Sequence, residues 1–291
     1  MTWSLFRWIW LLESPLHVGT VPAGSLNRCR LYVPARVLWG ALTAELARRQ
    51  AKGFPGYQDV GKKLQEKTRF TYLYPAKQVG GDWRAWLPRY KNCQGLIWQR
   101  EDRQDGSDSF PDRQMRMRLL WTRSATAIEH STTTAAEGTL RESEHVNPHW
   151  KEDDETVGPS VAFVGYVFFQ DGTELKDALA PIDQIAIGGD TRYGLGRIRR
   201  IAMTQADSIF GAQAQFIADD PIVPSRVVYA HAKGPVMLVG SLEMLVGWDN
   251  ASGRGPAAQD QGPLWVPGSV VKDGSGCRWK VDEHGLWEVV R

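Results

Sequence analysis

The segment Ile187-Gly188-Gly189-Asp190-Thr191-Arg192-Tyr193-Gly194-Leu195-Gly196-Arg197 sets four glycines beside a group of cations. Glycine lets a backbone adopt positive φ and approach a ligand closely. Successive exposed N–H groups can then cradle phosphate oxygens. Arg192, Arg197, Arg199 and Arg200 add guanidinium groups to the same stretch. The chemistry open to such a loop is anion binding, and a polymer phosphate suits it better than a nucleotide cofactor. It contains no GK[ST], which excludes a P-loop. It runs into RIRRI rather than a helix, so pyrophosphate on a helix N-terminus does not fit either. A second reading stays open, that of a tight structural turn with solvated arginines.

Other residues invite weighing. Arg116, Arg118 and Arg123 could grip phosphates, with Trp121 or Tyr193 stacking bases. For Trp121 a core position is the expectation, and for the arginines RNA contact. His17 could serve as a general acid or base, but sequence alone puts no second His or Tyr beside it; a hydrogen-bonded histidine at a strand end is the plainer expectation. His145 and His149, near Glu142 and Glu144, have a spacing that holds a metal on a helix. Pro148 lies between them and argues for a solvated loop. Asp153, Asp154 and Glu155 read as a solvated charge run. No GxSxG, HExxH or Cys/His pairing signals hydrolase chemistry. The three cysteines, at 29, 93 and 277, form no CxxC; neither zinc nor a dithiol is indicated, and a reducing cytoplasm is expected. No metal or cofactor is expected.

The elements that must hold these residues read as follows. Residues 3–12 predict a buried strand, broken at 14–20. A loop follows to residue 30, then a short extended piece at 31–34. Val37, Leu38, Ala41, Leu42 and Leu46 predict a helix over 35–50, closed by Arg48 and Arg49. Residues 51–112 carry few strong signals, and 99–113 read as a polar loop. Met115, Met117, Leu119 and Trp121 alternate with Arg116, Arg118 and Thr122, which predicts a strand over 113–123. Residues 124–160 suggest an extended hairpin or flap. A buried strand is predicted at 161–169, a helix over 174–187 that Pro181 starts or splits, and a strand at 197–203. Further strands are expected at 226–231, 235–247 and 264–271. A final hairpin turns at Asp282-Glu283-His284-Gly285.

Hydrophobic residues make up 42% of the 291, enough for a sizeable core, and 29 glycines with short apolar runs indicate a strand-rich α+β chain. The net charge of +2 does not announce a nucleic-acid binder, though overall balance can hide a basic face. No stretch approaches the roughly 20 apolar residues of a membrane span, and Leu5–Leu12 lacks the features of a signal peptide.

Four segments, in order, resemble a known family. Ser14-Pro15-Leu16-His17-Val18-Gly19-Thr20 is similar to the "PLHIG" that ends the first strand of CRISPR-associated RAMP proteins. Tyr32-Val33-Pro34-Ala35-Arg36-Val37-Leu38-Trp39-Gly40-Ala41-Leu42 resembles the "YIPGSSLKGAL" that opens their first helix, with Ala35-Arg36 in place of Gly-Ser. Thr126-Ala127-Ile128-Glu129-His130 through Ala135-Ala136-Glu137-Gly138-Thr139-Leu140 resembles the "IDR-TGTA-EGALF" thumb hairpin, His130 standing where relatives often carry Arg. GGDTRYGLGRI resembles their C-terminal glycine loop. The resemblance spans residues 5–203 and is nearest in flavour to the type III (Csm/Cmr-like) effector subunits.

The resemblance implies a ferredoxin-like (RRM-like) α+β fold over 1–204, with an insertion and β-hairpin thumb at about 85–160. Residues 205–291 are expected to form a β-rich extension packed on it. It implies binding of guide RNA (crRNA) and target RNA, alongside other RAMP subunits and a large signalling subunit. The expected RNA contacts are Gly188, Gly189, Arg192, Tyr193, Gly194, Gly196 and Arg197, with Arg36, Arg116, Arg118, Arg123, Ile128 and His130. Slicing relatives carry an Asp between the first two motifs; Thr20 to Leu31 holds no Asp or Glu, so a non-cleaving subunit is expected. Two alternatives remain: a guide-processing, metal-independent endoribonuclease using His17, and a protein–protein adaptor.

Overall fold

The computed structural model describes residues 3–103, 107–152, 157–217, 220–249, 255–258, 262–272 and 276–290. The charge run Asp153, Asp154 and Glu155 lies outside them. The first strand, β1 (Trp3–Leu12), is almost wholly buried because it lies inside a sheet and is paired along both edges. α1 (Ala35–Gln50) follows, entered through Pro34. Its buried stripe, Leu38, Leu42 and Leu46, recurs every four residues and faces the core. Each leucine contributes roughly 1.5–3 kcal/mol by leaving water. Arg48 and Arg49 in the last turn complement the helix dipole, and both reach back to Glu45.

The stretch after α1 is more regular than its sequence suggests. α2 (Tyr57–Lys67) leads into β2 (Thr68–Phe70), β3 (Tyr74–Val79), β4 (Asp82–Lys91), β5 (Gly95–Arg100) and β6 (Ser109–Pro111). The polar loop expected at 99–113 is therefore partly sheet. The strand expected over 113–123 is instead a helix, α3 (Asp112–Leu119), followed by β7 (Leu120–Ala125). The physical reason is an ambiguity of period: Met115 and Leu119 are alternate-strand positions, but they are also i and i+4. Those two are buried, while Met117 is 64% and Trp121 62% exposed. Trp121 is thus not a core residue.

β8 (Arg141–Val146) pairs antiparallel with β7, and the short strand Leu26–Asn27 lies parallel to it. β9 (Ala162–Gln170) is buried on both faces. α4 (Leu175–Leu179) is shorter than the helix expected to 187; after the turn at Pro181 the chain becomes β10 (Gln184–Ala186). β11 (Arg197–Ala206) completes the main sheet, whose order is β10-β11-β1-β9-β3-β4-β5-β6, with β2 also on β9. β1 sits antiparallel between β9 and β11, and helices connect β1 to β2 and β9 to β10.

In the tail, β12 (Asp220–Ser225) precedes the irregular segment 226–231, correcting the strand expected there. Segments 235–247 and 264–271 break into short strand pieces rather than continuous strands. β13 (Cys277–Val281) and β14 (Trp287–Val290) form the final hairpin, turning where the sequence placed it. Trp279 and Trp287 belong to the same buried cluster as β1 and β9. Tyr72 and Tyr74 donate their hydroxyls to His231 Nδ1 and the Tyr229 carbonyl. No helix among the described residues is long and apolar enough to cross a membrane.

Candidate nucleic-acid interface

The glycine loop joins β10 to β11, so it is a strand-to-strand connection and not the helix-to-strand one its sequence suggested. Its two stems are zipped to residues 13–17. Gly189 N donates to the His17 carbonyl at 2.9 Å, Gly196 N to the Pro15 carbonyl at 2.8 Å, and Arg197 N to Ser14 Oγ at 2.8 Å. Gly188, Asp190, Gly194 and Gly196 all have positive φ. A Cβ on Gly188 would overlap the His17 carbonyl, and one on Gly196 the Ile187 carbonyl, whereas Gly194 has open space around it. The stem amides are thus spent inside the protein. What the loop offers outward is the side chains of Arg192, Tyr193 and Arg197, all exposed. Arg199 and Arg200 are committed elsewhere, to Glu13 at 2.6 Å and to the carbonyls at the end of α4 beneath Trp8 and Trp10.

Two depressions flank the loop. One, of about 380 Å³, lies between it and the β7–β8 hairpin and is lined by Arg123, Arg141, Ser143, His145, Asp190 and Tyr193. Arg141 places its guanidinium 5.5 Å from the centre of the Tyr193 ring. The other, of about 690 Å³, lies between the loop and α1; His17, Gly188, Gly189, Arg30, Arg36 and Tyr72 line it, with Leu245, Val246 and His284 of the tail opposite.

His17 and His145 meet between the depressions, their ring centroids 5.6 Å apart and edge to face. His17 Nδ1 lies 2.7 Å from the Glu144 carbonyl, so that nitrogen donates. His145 is 4% exposed, and its Nε2 has no hydrogen-bond partner among the described residues. Burial first, and the neighbouring His17 second, hold the His145 imidazole below its ordinary pKa. Glu144 locks the arrangement: its carboxylate accepts from Arg116 at 2.8 Å and from Cys29 N at 2.9 Å. Burial pushes the Cys29 thiol up to about 11, so it stays protonated and unreactive.

The expected contact residues therefore divide. Gly188, Gly189, Arg36, Tyr193 and Arg123 line the depressions. Arg116 does not; its guanidinium is held by Glu144 and the Cys29 carbonyl. Arg118 lies over the Phe110 ring at 4.7 Å. The partly basic strand face expected for Arg116, Arg118 and Thr122 does not exist, because the two arginines sit on α3. Ile128 and His130 are exposed in the connection between β7 and β8 and line neither depression. His145 and His149 stand on two different strands, His145 buried, so the solvated loop expected there is corrected; no cluster of three metal-ligating side chains occurs among the described residues. Sequence reasoning missed His145 beside His17, and Arg141. The available signal was the alternation in Arg141–Val146, which turns Ser143 and His145 to one buried face.

No protein-family model and no curated protein matches this sequence. Its fold is similar to chains of type III-B Cmr-beta complexes solved by cryo-EM. A chain of the complex bound to cognate target RNA and AMPPnP, state 1, aligns over 91% of this chain and 85% of its own, with TM-score 0.52 and 13% identity. A chain of the complex bound to cognate target RNA aligns over 67% and 96%, with TM-score 0.42 and 12% identity. One from the apo state aligns over 68% and 96%, with TM-score 0.40 and 11% identity. The first of these likenesses shows a mixed α+β fold, mostly sheet, related to that of a type III CRISPR effector chain.

Proposed function

We propose that this protein is a guide-RNA-binding subunit of a type III CRISPR effector, which holds the strand without cutting it. The observation that carries the reading is the glycine loop, zipped against residues 13–17 at the surface and flanked by two depressions that carry arginines. A rigid ledge with exposed Arg192 and Arg197 suits a polynucleotide backbone, since phosphate contacts position a strand without reading it. The order β11-β1-β9-β2/β3 with two helical crossovers supports a ferredoxin-like core. The β7–β8 hairpin, with its long connection beside the loop, supports a thumb. Guide and target RNA, further RAMP subunits and a large signalling subunit are the partners this reading names, in the cytoplasm. Sequence recognition would then be delegated to guide–target pairing.

The test is retention of guide RNA by the Arg192→Ala/Arg197→Ala variant across a salt titration. Retention should weaken, and the slope against salt should flatten by about 0.7 for each phosphate of a single strand that the variant no longer neutralises. Retention unchanged from wild type would overturn the loop's role. A chain that never co-purifies with RNA would point to an adaptor.

One observation favours a second reading. His145 beside His17 sets two imidazoles side by side, an acid–base pair of the kind that RNA cleavage can use. Incubation with unprocessed repeat RNA separates the two: site-specific cutting that disappears in His17→Ala would establish a guide-processing endoribonuclease.

A further inference from the structure

A third depression shares no residue with the other two. It is made where the tail meets the main sheet. Tyr90 N on β4 donates to the Gly268 carbonyl at 2.8 Å, and Gly268 N donates to the Val228 carbonyl at 2.7 Å. Gly268 has φ 92°, and a Cβ there would press on the backbone of Pro88 and Arg89, so the join depends on glycine. The clamp leaves a cleft of about 260 Å³.

Arg89 and Arg226 line that cleft, and neither has an ion-pair partner among the described residues. The other charges there are committed: Arg100 to Asp102 and Asp108, Glu101 to Arg7. Arg89 and Arg226 thus border one space, and no carboxylate of the described residues, Glu101 of the same cleft included, forms an ion pair with either. The aromatic members are Tyr229 and Phe210. Burial pushes the Tyr229 phenol up to about 12, with the Arg89 charge pulling against it, so it remains a hydroxyl donor. Phe210 holds the left-handed conformation, φ 48°, its ring packed edge-on against Tyr166, Tyr74 and Tyr229. Phe210 and Gly211, both at positive φ, are the central residues of the two-residue turn that joins Ser208–Ile209 to Ala212–Gln213.

We propose that this cleft binds a nucleotide, its phosphate bridged by Arg89 and Arg226 and its base set against Tyr229 and the edge of Phe210. Guanidinium forks match phosphate geometry in a way a lone ammonium does not. The volume of about 260 Å³ lies just below the roughly 300–1,000 Å³ of small-molecule pockets, close to the size of a mononucleotide. The nucleotide is either a free one or a single residue of an RNA strand. This inference does not rest on the glycine-loop reading.

The test is titration of a fluorescent N-methylanthraniloyl-AMP probe into the full chain. Saturable binding is expected, weakened at least tenfold in Arg89→Ala/Arg226→Ala and retained in Arg192→Ala/Arg197→Ala. Thermal melting of each variant checks that it folds, and Arg89→Lys with Arg226→Lys should retain part of the affinity. Displacement of the probe by unlabelled AMP but not by a single-stranded RNA oligonucleotide identifies a free nucleotide. Displacement by the oligonucleotide, abolished in the Arg89/Arg226 variant, identifies a strand. No saturable binding at millimolar probe, or equal affinity in folded wild type and Arg89→Ala/Arg226→Ala, overturns the proposal.

Discussion

The edge of one imidazole ring, His17 or His145, meets the face of the other, with 5.6 Å between centroids. His17 belongs to the segment that ends the first strand, and His145 to the second strand of the hairpin. Their contact therefore ties together the glycine loop, which hydrogen-bonds to the His17 carbonyl, and the hairpin that faces it. Two neighbouring histidines resist being charged together, and His145 is the more buried, so its neutral form is the one the fold selects.

Stability should accordingly depend on pH through His145. Its folded pKa lies below the unfolded value of about 6.5. The unfolded chain then binds more protons as pH falls, so this contribution is present above about pH 6.5 and vanishes below it. Urea midpoints at pH 7.5 and 5.5 should fall further for wild type than for His145→Phe. A parallel fall in both proteins would refute this.

His231 should behave in the same direction. It is fully buried in the tail, with Nδ1 on Tyr72 and Nε2 2.6 Å from Glu243. Burial holds its pKa down, and Arg30 at 2.5 Å already compensates the carboxylate. His231→Gln should lower the urea midpoint at pH 7.5 and flatten its fall to pH 5.5.

Glu144 should be a structural keystone of the interface. Removing its carboxylate in Glu144→Ala leaves Cys29 N without its acceptor and Arg116 with the Cys29 carbonyl but no counter-charge, in a mostly buried site. The expected cost is about 2–3 kcal/mol, measured by chemical denaturation. RNA retention should fall with it, because the hairpin and the 26–30 segment lose their common tie. A cost under about 0.5 kcal/mol would count against this role.

The loop glycines should separate by what surrounds them. Gly194→Ala meets no neighbour and should cost about 1 kcal/mol from its positive φ alone. Gly196→Ala must also displace the Ile187 carbonyl and should cost more, about 3 kcal/mol. Equal melting temperatures for the two variants would contradict the geometry.

Tyr193, 69% exposed and held by Arg141, should act as a stacking platform. Tyr193→Ala should weaken single-stranded RNA binding about tenfold in an anisotropy titration, within the ~1–3 kcal/mol typical of base stacking. Tyr193→Phe should bind as wild type, since the ring and not the hydroxyl is used.

Much of this fold could be read from residue order. The apolar run Trp3–Leu12, the fourfold stripe Leu38-Leu42-Leu46, the run Ala162–Gln170 and the turn at Asp282–Gly285 are local patterns, and each element appears where its pattern lies. Local pattern failed where two periods agreed: Met115 and Leu119 fit a strand and a helix equally, and only burial against the neighbouring elements chose the helix.

The glycine loop was legible for the same local reason, since positive φ and close approach demand glycine at particular positions whatever surrounds them. Which cations it presents was not legible. Arg197, Arg199 and Arg200 look alike in sequence, yet Glu13 takes one and the end of α4 takes another. The pairing of His17 with His145, the commitment of Arg116 to Glu144, and the uncommitted pair Arg89 and Arg226 all arise between distant segments. The positive φ of the loop glycines and the strongly patterned elements are set by each residue and its near neighbours, so sequence determined those. Charge pairing and burial depend on what the folded chain brings alongside, so only the tertiary structure decided them.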